Sequence, residues 1–442
     1  MRSDLFAGVR LGFLLGASFL ALASCSAPPS PESFANTDLL ADEIRNWRTQ
    51  SGSAPDPMPV DTHPFARVID TIRTSYVRPT DDRWLVQQAV AGMRERIPDP
   101  KAATDADMVS AALHGMLASL DPYSAFLDRG ELNELREEIS GRFGGLGVRL
   151  TMRDGQATVI AAIEGTPAFR AGLKPNDIIT HADGAELAGK SLPEIIDMLR
   201  GRPGSRVALK IVRDKSMPFD VELTRAIIHM VSVESRLVDY VGHVRIRSFT
   251  EGVSEEVQRD ILKLKAEAGP RLRGVVLDMR GNPGGLLSEA VRVSDLFLEE
   301  GLVVYTRSRN GGENFGASTG DILDGLPIAV LIDEGSASAS EIVAGALQDS
   351  HRAVLIGGRS FGKGSVQKIF SLPLGQGIKI TTELYFTPSG RTVEGGIEPD
   401  LSVAQDEARE GDEVLDTAVA RLIGLTGGPD AMWNTPPLQA SR

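Results

Sequence analysis

The feature that most constrains this chain is the change of apolar period that begins after His229. Residues 274–279, 302–306 and 328–332 are short, nearly unbroken apolar runs, and 244–249 reads as a further strand in which apolar and polar side chains alternate. Between them, residues 254–266 and 286–297 carry apolar side chains every three or four positions. Unbroken apolar strands are buried on both faces, and strands separated by helices return in the same direction. The pattern implies an α/β core on parallel strands, with backbone N–H groups gathered wherever a strand end opens a helix.

The strand at 328–332 leads into the run from Gly335 to Gln367, GSASASEIVAGALQDSHRAVLIGGRSFGKGSVQ. Ile342, Val343, Ala346 and Leu347 recur at helical spacing within 337–348, which puts the serine cluster at a helix N-terminus. Unpaired N–H groups there favour negative charge, as on a serine oxygen becoming an alkoxide or on an attacked carbonyl. The same Ser338-x-x-Glu341 spacing fits a capping box, in which the serine only closes the helix. The serines alone leave both readings standing.

Lys363 adds weight to the chemical one. Residues 353–356 read as a buried strand, and the following Gly-Arg-Ser-Phe-Gly turn leaves the lysine on a constrained loop. A lysine beside a serine suggests a nucleophile and its base. An ordinary lysine, with a pKa of about 10.4, is almost never neutral at pH 7, so burial would have to bring it to roughly 7 to 8. If 365–370 is a strand, Lys363, Ser365 and Gln367 point to one face, and the Gln367 amide could orient the amine. Gly357-x-x-x-x-Gly362-Lys363 is nearly a phosphate-binding P-loop, but Gly364 replaces the magnesium-binding hydroxyl and strands rather than a helix should follow. His351, the nearest histidine for a Ser-His-Asp arrangement, follows the helix C-terminus, and no G-x-S-x-G elbow surrounds Ser338.

The GSASASE and FGKGSVQ runs together closely resemble those of the C-terminal processing peptidases, or tail-specific proteases. The resemblance implies that Ser338 is the nucleophile, Lys363 the base and Gln367 an assisting residue. It assigns the oxyanion hole to the backbone N–H groups of Gly284, in the turn Arg280-Gly281-Asn282-Pro283-Gly284-Gly285, and of Ala339. Read without the resemblance, that glycine turn is simply a tight strand-to-helix connection. Thr387-Pro388-Ser389-Gly390-Arg391 and the stretch 395–400 resemble the closing motifs of the same family, and the likeness runs from about Phe65 to Leu401. It further implies an α/β, multidomain fold whose peptidase core resembles the ClpP/crotonase-like fold, and acyl-enzyme chemistry that requires no metal or organic cofactor.

Between the helical and α/β patterns, 141–225 reads as short strands. The run Gly144-Gly145-Leu146-Gly147-Val148 and the later TPAFRAGLKPNDIITHADG resemble a PDZ domain. The likeness implies that the N–H groups of Gly145, Leu146 and Gly147 hold a peptide's terminal carboxylate while the peptide adds as a strand beside 148–152. A helix at 191–200 with Ile195, Ile196 and Leu199 would wall the groove and favour apolar C-terminal residues; the same aliphatics also suit the module's own core. Upstream, Phe65, Val68, Ile69, Ile72 and Tyr76 fall on one helical face, as do Val109, Leu113, Met116 and Leu117. Gly92-Met93 with Asp99-Pro100 echoes Gly115-Met116 with Asp121-Pro122, but the offsets differ and no repeat follows.

The N-terminus has Arg2 and Arg10 followed by an apolar run over 11–23, too short for a comfortable membrane span, and reads as a signal peptide. It ends Leu22-Ala23-Ser24-Cys25, which resembles a bacterial lipobox with Cys25 as the lipidated residue. The sequence has a single cysteine, so Cys25 has no disulfide partner within the chain. The expected organisation is a signal peptide (1–24), a flexible tether (25–61), a helical module (62–140), a PDZ domain (141–228), a peptidase core (229–411) and a C-terminal helix and tail (412–442). A net charge of −13 excludes nucleic-acid binding through a basic field and leaves proteins or peptides as partners. The whole reads as a serine endopeptidase on the periplasmic side of a bacterial envelope, lipid-anchored to a membrane and acting on free, apolar C-termini. The alternative is a non-catalytic PDZ scaffold. Replacing Cys25 by Ala, with a cleavable signal supplied, is expected to move the protein from the membrane to the soluble fraction; equal membrane retention on fractionation would remove the lipid anchor.

Overall fold

A computed structural model describes residues 31–52, 60–101, 103–214, 216–318, 320–405 and 411–424. The signal peptide, Cys25 and the tail beyond 424 lie outside these residues. The chain divides into two compact units, one comprising residues up to 129 and 366–383, the other 130–365 and 384 onward.

The first unit is built on four helices, Pro31–Gln50, His63–Ser75, Asp82–Arg96 and Asp105–Ala118. The first of these corrects the expectation of a tether over 25–61. Proline and polar residues there suggest an extended linker, yet Leu40 and Ile44 lie one helical turn apart and are fully buried in a core with Phe65, Ile69 and Ile72. Burial of that stripe supplies what local composition lacks. The glycine echo also finds its cause here. A Cβ on Gly92 would lie 2.3 Å from the Cα of Gly115, so the third and fourth helices cross where neither has a side chain. The strand Ala125–Leu127 pairs antiparallel with residues 377–379, and Phe126, Phe370, Ile378 and Ile380 complete the core. Among the described residues no helix is long and apolar enough to cross a membrane.

In the second unit, a sheet in the order Val148–Arg153, Gln156–Ala162, Ile178–Ala182, Arg206–Val212, Phe219–Thr224 forms the module anticipated at 141–228. The helix Leu192–Leu199 lies beside the first of these strands. Ile195 and Leu199 are buried in the module's core, whereas Ile196 is only half-buried.

The other sheet of this unit runs Val233–Val238, Val241–Ile246, Gly274–Asp278, Ile328–Ile332, Ala353–Gly357, Leu401–Ser402. The first pair is antiparallel and the remaining pairs are parallel. Alternation explains its apolar runs. Val276, Ala329, Leu331, Val354 and Ile356 pack with Val414, Leu415, Ala418 and Leu422 of the helix Glu413–Gly424. Val275, Leu277, Val330 and Leu355, on the other face, are equally buried. One expected strand leaves this sheet. Gly301–Arg307 pairs antiparallel with Asn314–Ala317 and with residues 384–386 instead of joining the parallel order. Apolar period identifies a strand but carries no information about its partner.

Candidate active site

Three neighbouring parallel strands, Gly274–Asp278, Ile328–Ile332 and Ala353–Gly357, deliver three loops at their carboxyl ends: 279–286, 333–338 and 358–364. Loops at that end of adjacent parallel strands necessarily converge. Hydrogen bonds join them to one another. The Ser336 hydroxyl donates to the Met279 carbonyl at 2.8 Å, the Gly281 amide to Asp333 Oδ1 at 2.8 Å, and the Phe361 amide to the Ser336 carbonyl at 3.0 Å.

Ser338 is the residue before the helix Ala339–Asp349, at φ 54° and ψ −111°. A non-glycine residue in that region costs on the order of 1–3 kcal/mol and persists only where the surroundings over-determine it. Here they do. The Ala337 amide donates to the Asn282 carbonyl at 3.0 Å, and the Ser340 hydroxyl donates to the same oxygen at 3.0 Å. The Ser338 carbonyl accepts from the amides of Glu341 and Ile342 at 2.9 and 3.0 Å. Its own amide donates to Glu341 Oε2 at 2.8 Å, the return arm expected of a capping box.

Glu341 does much more than cap. It is fully buried, and both oxygens accept twice. Oε2 takes the amides of Ser338 (2.8 Å) and Lys363 (2.9 Å), while Oε1 takes the Ser360 hydroxyl (2.6 Å) and the Gly362 amide (2.7 Å). All four acceptor positions of the carboxylate are filled. The two residues expected to do the chemistry therefore have their amide nitrogens on one oxygen atom. Lys363 and Ser338 are each half-buried, the lysine between Gly362 and Gly364. Gln367 lies in the strand Ser365–Ser371, and its amide donates to Thr381 Oγ1 at 3.4 Å. Lys363 precedes that strand, so the shared-face argument applies to Ser365 and Gln367 only.

The glycine turn sits against the serine. A Cβ on Gly284, whose φ is 105°, would come within 2.8 Å of Ser338 Cβ and 3.0 Å of the Ala339 nitrogen, so only glycine fits. This brings together the two residues expected to form the oxyanion hole. The Gly284 amide donates to Asn282 Oδ1 at 2.9 Å, and Asn282, itself fully buried, donates from Nδ2 to the Ile246 carbonyl at 2.9 Å. An oxyanion at Gly284 would share or displace that side-chain acceptor.

Beneath the turn lies a buried ion cluster that sequence reasoning missed. Arg280 donates to both oxygens of Asp278 at 2.9 and 2.7 Å, and to both oxygens of Asp412 at 2.8 and 2.7 Å, while His243 Nε2 lies 3.1 Å from Asp278 Oδ2. Burial alone would raise the Asp278 pKa, but the hydrogen bonds from Arg280 and His243 outweigh it and hold the carboxyl well below the usual range. Asp412 also accepts the Leu415 amide at 3.0 Å, so Arg280 couples the turn to the start of the last helix. The nearest sequence signal was only an acidic residue ending a strand and an arginine two positions on.

The two rival chemistries lose their geometry. Ser365–Ser371 is a strand, so Gly362-Lys363 opens no helix. His351 is exposed and lies beyond the C-terminus of an 11-residue helix whose N-terminus carries Ser338, about 16 Å of helix away.

Residues 240–403 match peptidase family S41, and residues 144–223 match the PDZ domain family. These matches define a serine peptidase carrying a PDZ domain. A carboxy-terminal-processing protease of Bartonella bacilliformis is 40% identical over 348 residues, covering 77% of this chain and 74% of the relative. The chain belongs to the carboxy-terminal-processing protease family. A probable CtpA-like serine protease of Staphylococcus aureus is 36% identical over 68% of this chain and 61% of its own. Among solved structures, the photosystem II D1 C-terminal processing protease is 28% identical, covers 82% of this chain and 97% of its own, and gives a TM-score of 0.49. Family membership sets aside the non-catalytic scaffold.

The ion cluster yields a stability prediction. Asp278→Asn leaves Arg280 without its buried partner and should cost about 3–5 kcal/mol at neutral pH. A carboxyl depressed in the folded state stabilises fully above its unfolded pKa, about 3.9, and loses that contribution as pH falls toward the folded value. The gap between wild type and Asp278→Asn in urea unfolding should therefore be widest near neutrality and shrink below about pH 4. A gap constant down to about pH 3 would contradict this assignment.

Proposed function

We propose that the enzyme cleaves proteins near their C-termini with a Ser338–Lys363 dyad through an acyl-enzyme. The observation that carries this reading is the sharing of Glu341 Oε2 by the amides of both residues, which holds the nucleophile's turn and the lysine loop in one register. The neutral Lys363 amine removes the Ser338 hydroxyl proton as Oγ attacks the scissile carbonyl. The oxyanion meets the N–H groups of Gly284 and Ala339, each worth roughly 2.7–4 kcal/mol in the transition state. The tetrahedral intermediate collapses to the acyl-enzyme, and the leaving amine takes the proton from Lys363. Water then attacks with Lys363 again as base, which releases the new C-terminus and restores Ser338. The family resemblance gives Gln367 an assisting role in this reading.

Substrate capture falls to the PDZ domain. The Leu146 and Gly147 carbonyls accept from the amides of Ala168 and Ile163 at 2.9 and 2.8 Å. Of the three residues whose amides are expected to hold the carboxylate, Gly145, Leu146 and Gly147, Gly145 lies in a ladder opposite Ala226. Across a trans peptide the Gly147 N–H, with that of Val148 after it, turns away from the partners of those carbonyls. Val148–Arg153 is a terminal strand in its sheet order, available for an added peptide strand. The half-buried Ile196 supports a preference for apolar C-terminal residues. The lipobox-like ending at Cys25 supports a lipid anchor on the periplasmic side of the envelope.

Lys363→Arg keeps the charge and most of the length but cannot shed its proton near neutral pH, so a folded variant should lose peptide cleavage as completely as Ser338→Ala. Wild-type kcat/KM should rise with pH through an apparent pKa well below about 10.4. Substantial turnover by folded Lys363→Arg would exclude the lysine as base. For the PDZ role, amidating a peptide's C-terminus removes the charge the loop receives, and KM should rise at least about tenfold if a charge-assisted hydrogen bond is lost; equal turnover of both peptides would sink the idea.

A further inference from the structure

Resting on the dyad reading, we infer that Tyr385 is a positioning residue for Lys363, acting through its hydroxyl on the lysine's main chain. Tyr385 lies in the strand Gly377–Phe386 and is 1% exposed. Its amide donates to the Gly364 carbonyl at 3.0 Å, which registers it against the residue after the lysine. Its hydroxyl lies 3.1 Å from the Ser338 carbonyl and in hydrogen-bond contact with the Lys363 carbonyl.

A phenol has one proton, and the two carbonyls compete for it unequally. The Ser338 oxygen already accepts from the amides of Glu341 and Ile342, which occupy its two lone pairs. The proton therefore goes to the Lys363 carbonyl, and the serine carbonyl remains a packing contact. Lys363 depends on such restraint because its two neighbours have no side chains with which to pack the loop. Gly362, at φ 97°, and Gly364 are held through their main chains, the Gly362 amide donating to Glu341 Oε1 and the Gly364 carbonyl accepting from the Tyr385 amide. Glu341 holds the amide side of both dyad residues, and Tyr385 touches the carbonyl side of both. Together they set the direction in which the lysine side chain leaves the backbone. The hydroxyl is too deeply buried to meet a substrate.

Displacing a reacting group by about 1 Å costs on the order of a hundredfold in rate, so Tyr385→Phe should lower kcat by roughly 10- to 100-fold. KM for a free-acid peptide should not change, and the apparent pKa in the kcat/KM profile should rise as the loosened amine gains water. Tyr76→Phe is the control. Tyr76 is equally buried at 3% exposure, its hydroxyl donates to the Leu120 carbonyl at 2.8 Å, and it makes the same chemical change away from dyad contacts. Wild type, Ser338→Ala, Tyr385→Phe and Tyr76→Phe are compared for kcat, KM, pH profile and Tm. A fall in kcat and a raised apparent pKa confined to Tyr385→Phe support the inference. Wild-type kcat and profile in Tyr385→Phe, beside an inactive Ser338→Ala, overturn it alone, as does an equal loss in Tyr76→Phe. An active Ser338→Ala overturns the dyad reading and this inference together. If Tyr385→Phe does not fold, fluorotyrosine at 385 keeps the ring and strengthens the donor; a shifted apparent pKa supports the inference and an unchanged one overturns it.

Discussion

The arrangement of this active site depends on one buried carboxylate. Glu341 accepts four hydrogen bonds with no exposure to solvent, and its donors come from two loops: the serine turn at Ser338, and the lysine loop at Ser360, Gly362 and Lys363. A buried carboxylate costs several kcal/mol to desolvate, so it is tolerable only when its lone pairs are filled. The requirement works in reverse as well. Because the carboxylate cannot be left unsatisfied, the two loops are held where all four donors reach it, and a shift of either exposes a buried charge.

That anchor also makes the strained geometry of Ser338 sustainable. The positive φ turns the serine out of the helical path, and the hydrogen bonds of Ala337, Ser338 and Ser340 to Asn282 and Glu341 offset its cost. Asn282 links this turn to the glycine turn, and Arg280 links the glycine turn to the last helix through Asp278 and Asp412. The helix after residue 412 covers one face of the parallel sheet, so packing beneath the sheet and geometry above its carboxyl ends share one ionic bridge.

Much of this was legible in the chain. The helix after Ser338, the strand before it, the buried strand 353–357 and the glycine-flanked lysine all follow from apolar period and turn chemistry, and the structure has each of them within two residues. The Ser-x-x-Glu spacing even indicated that Glu341 reaches back to the Ser338 amide. What misled was local polarity: helix Pro31–Gln50 looks like a linker because its apolar stripe is narrow, and its stability comes from the core it enters.

By itself the sequence determined the chemical inventory and the local elements, because capping, periodicity and glycine turns are set by residues a few positions apart. The tertiary structure alone decided which groups meet. Glu341 and Lys363 are joined across a helix, a strand and a turn, and Tyr385 reaches both Ser338 and Lys363 from a strand that follows them. Gly301–Arg307 took two antiparallel partners that no periodicity announces. Such pairings are settled by burial and hydrogen-bond satisfaction summed over distant parts of the chain, and those sums leave no mark within any one stretch of it.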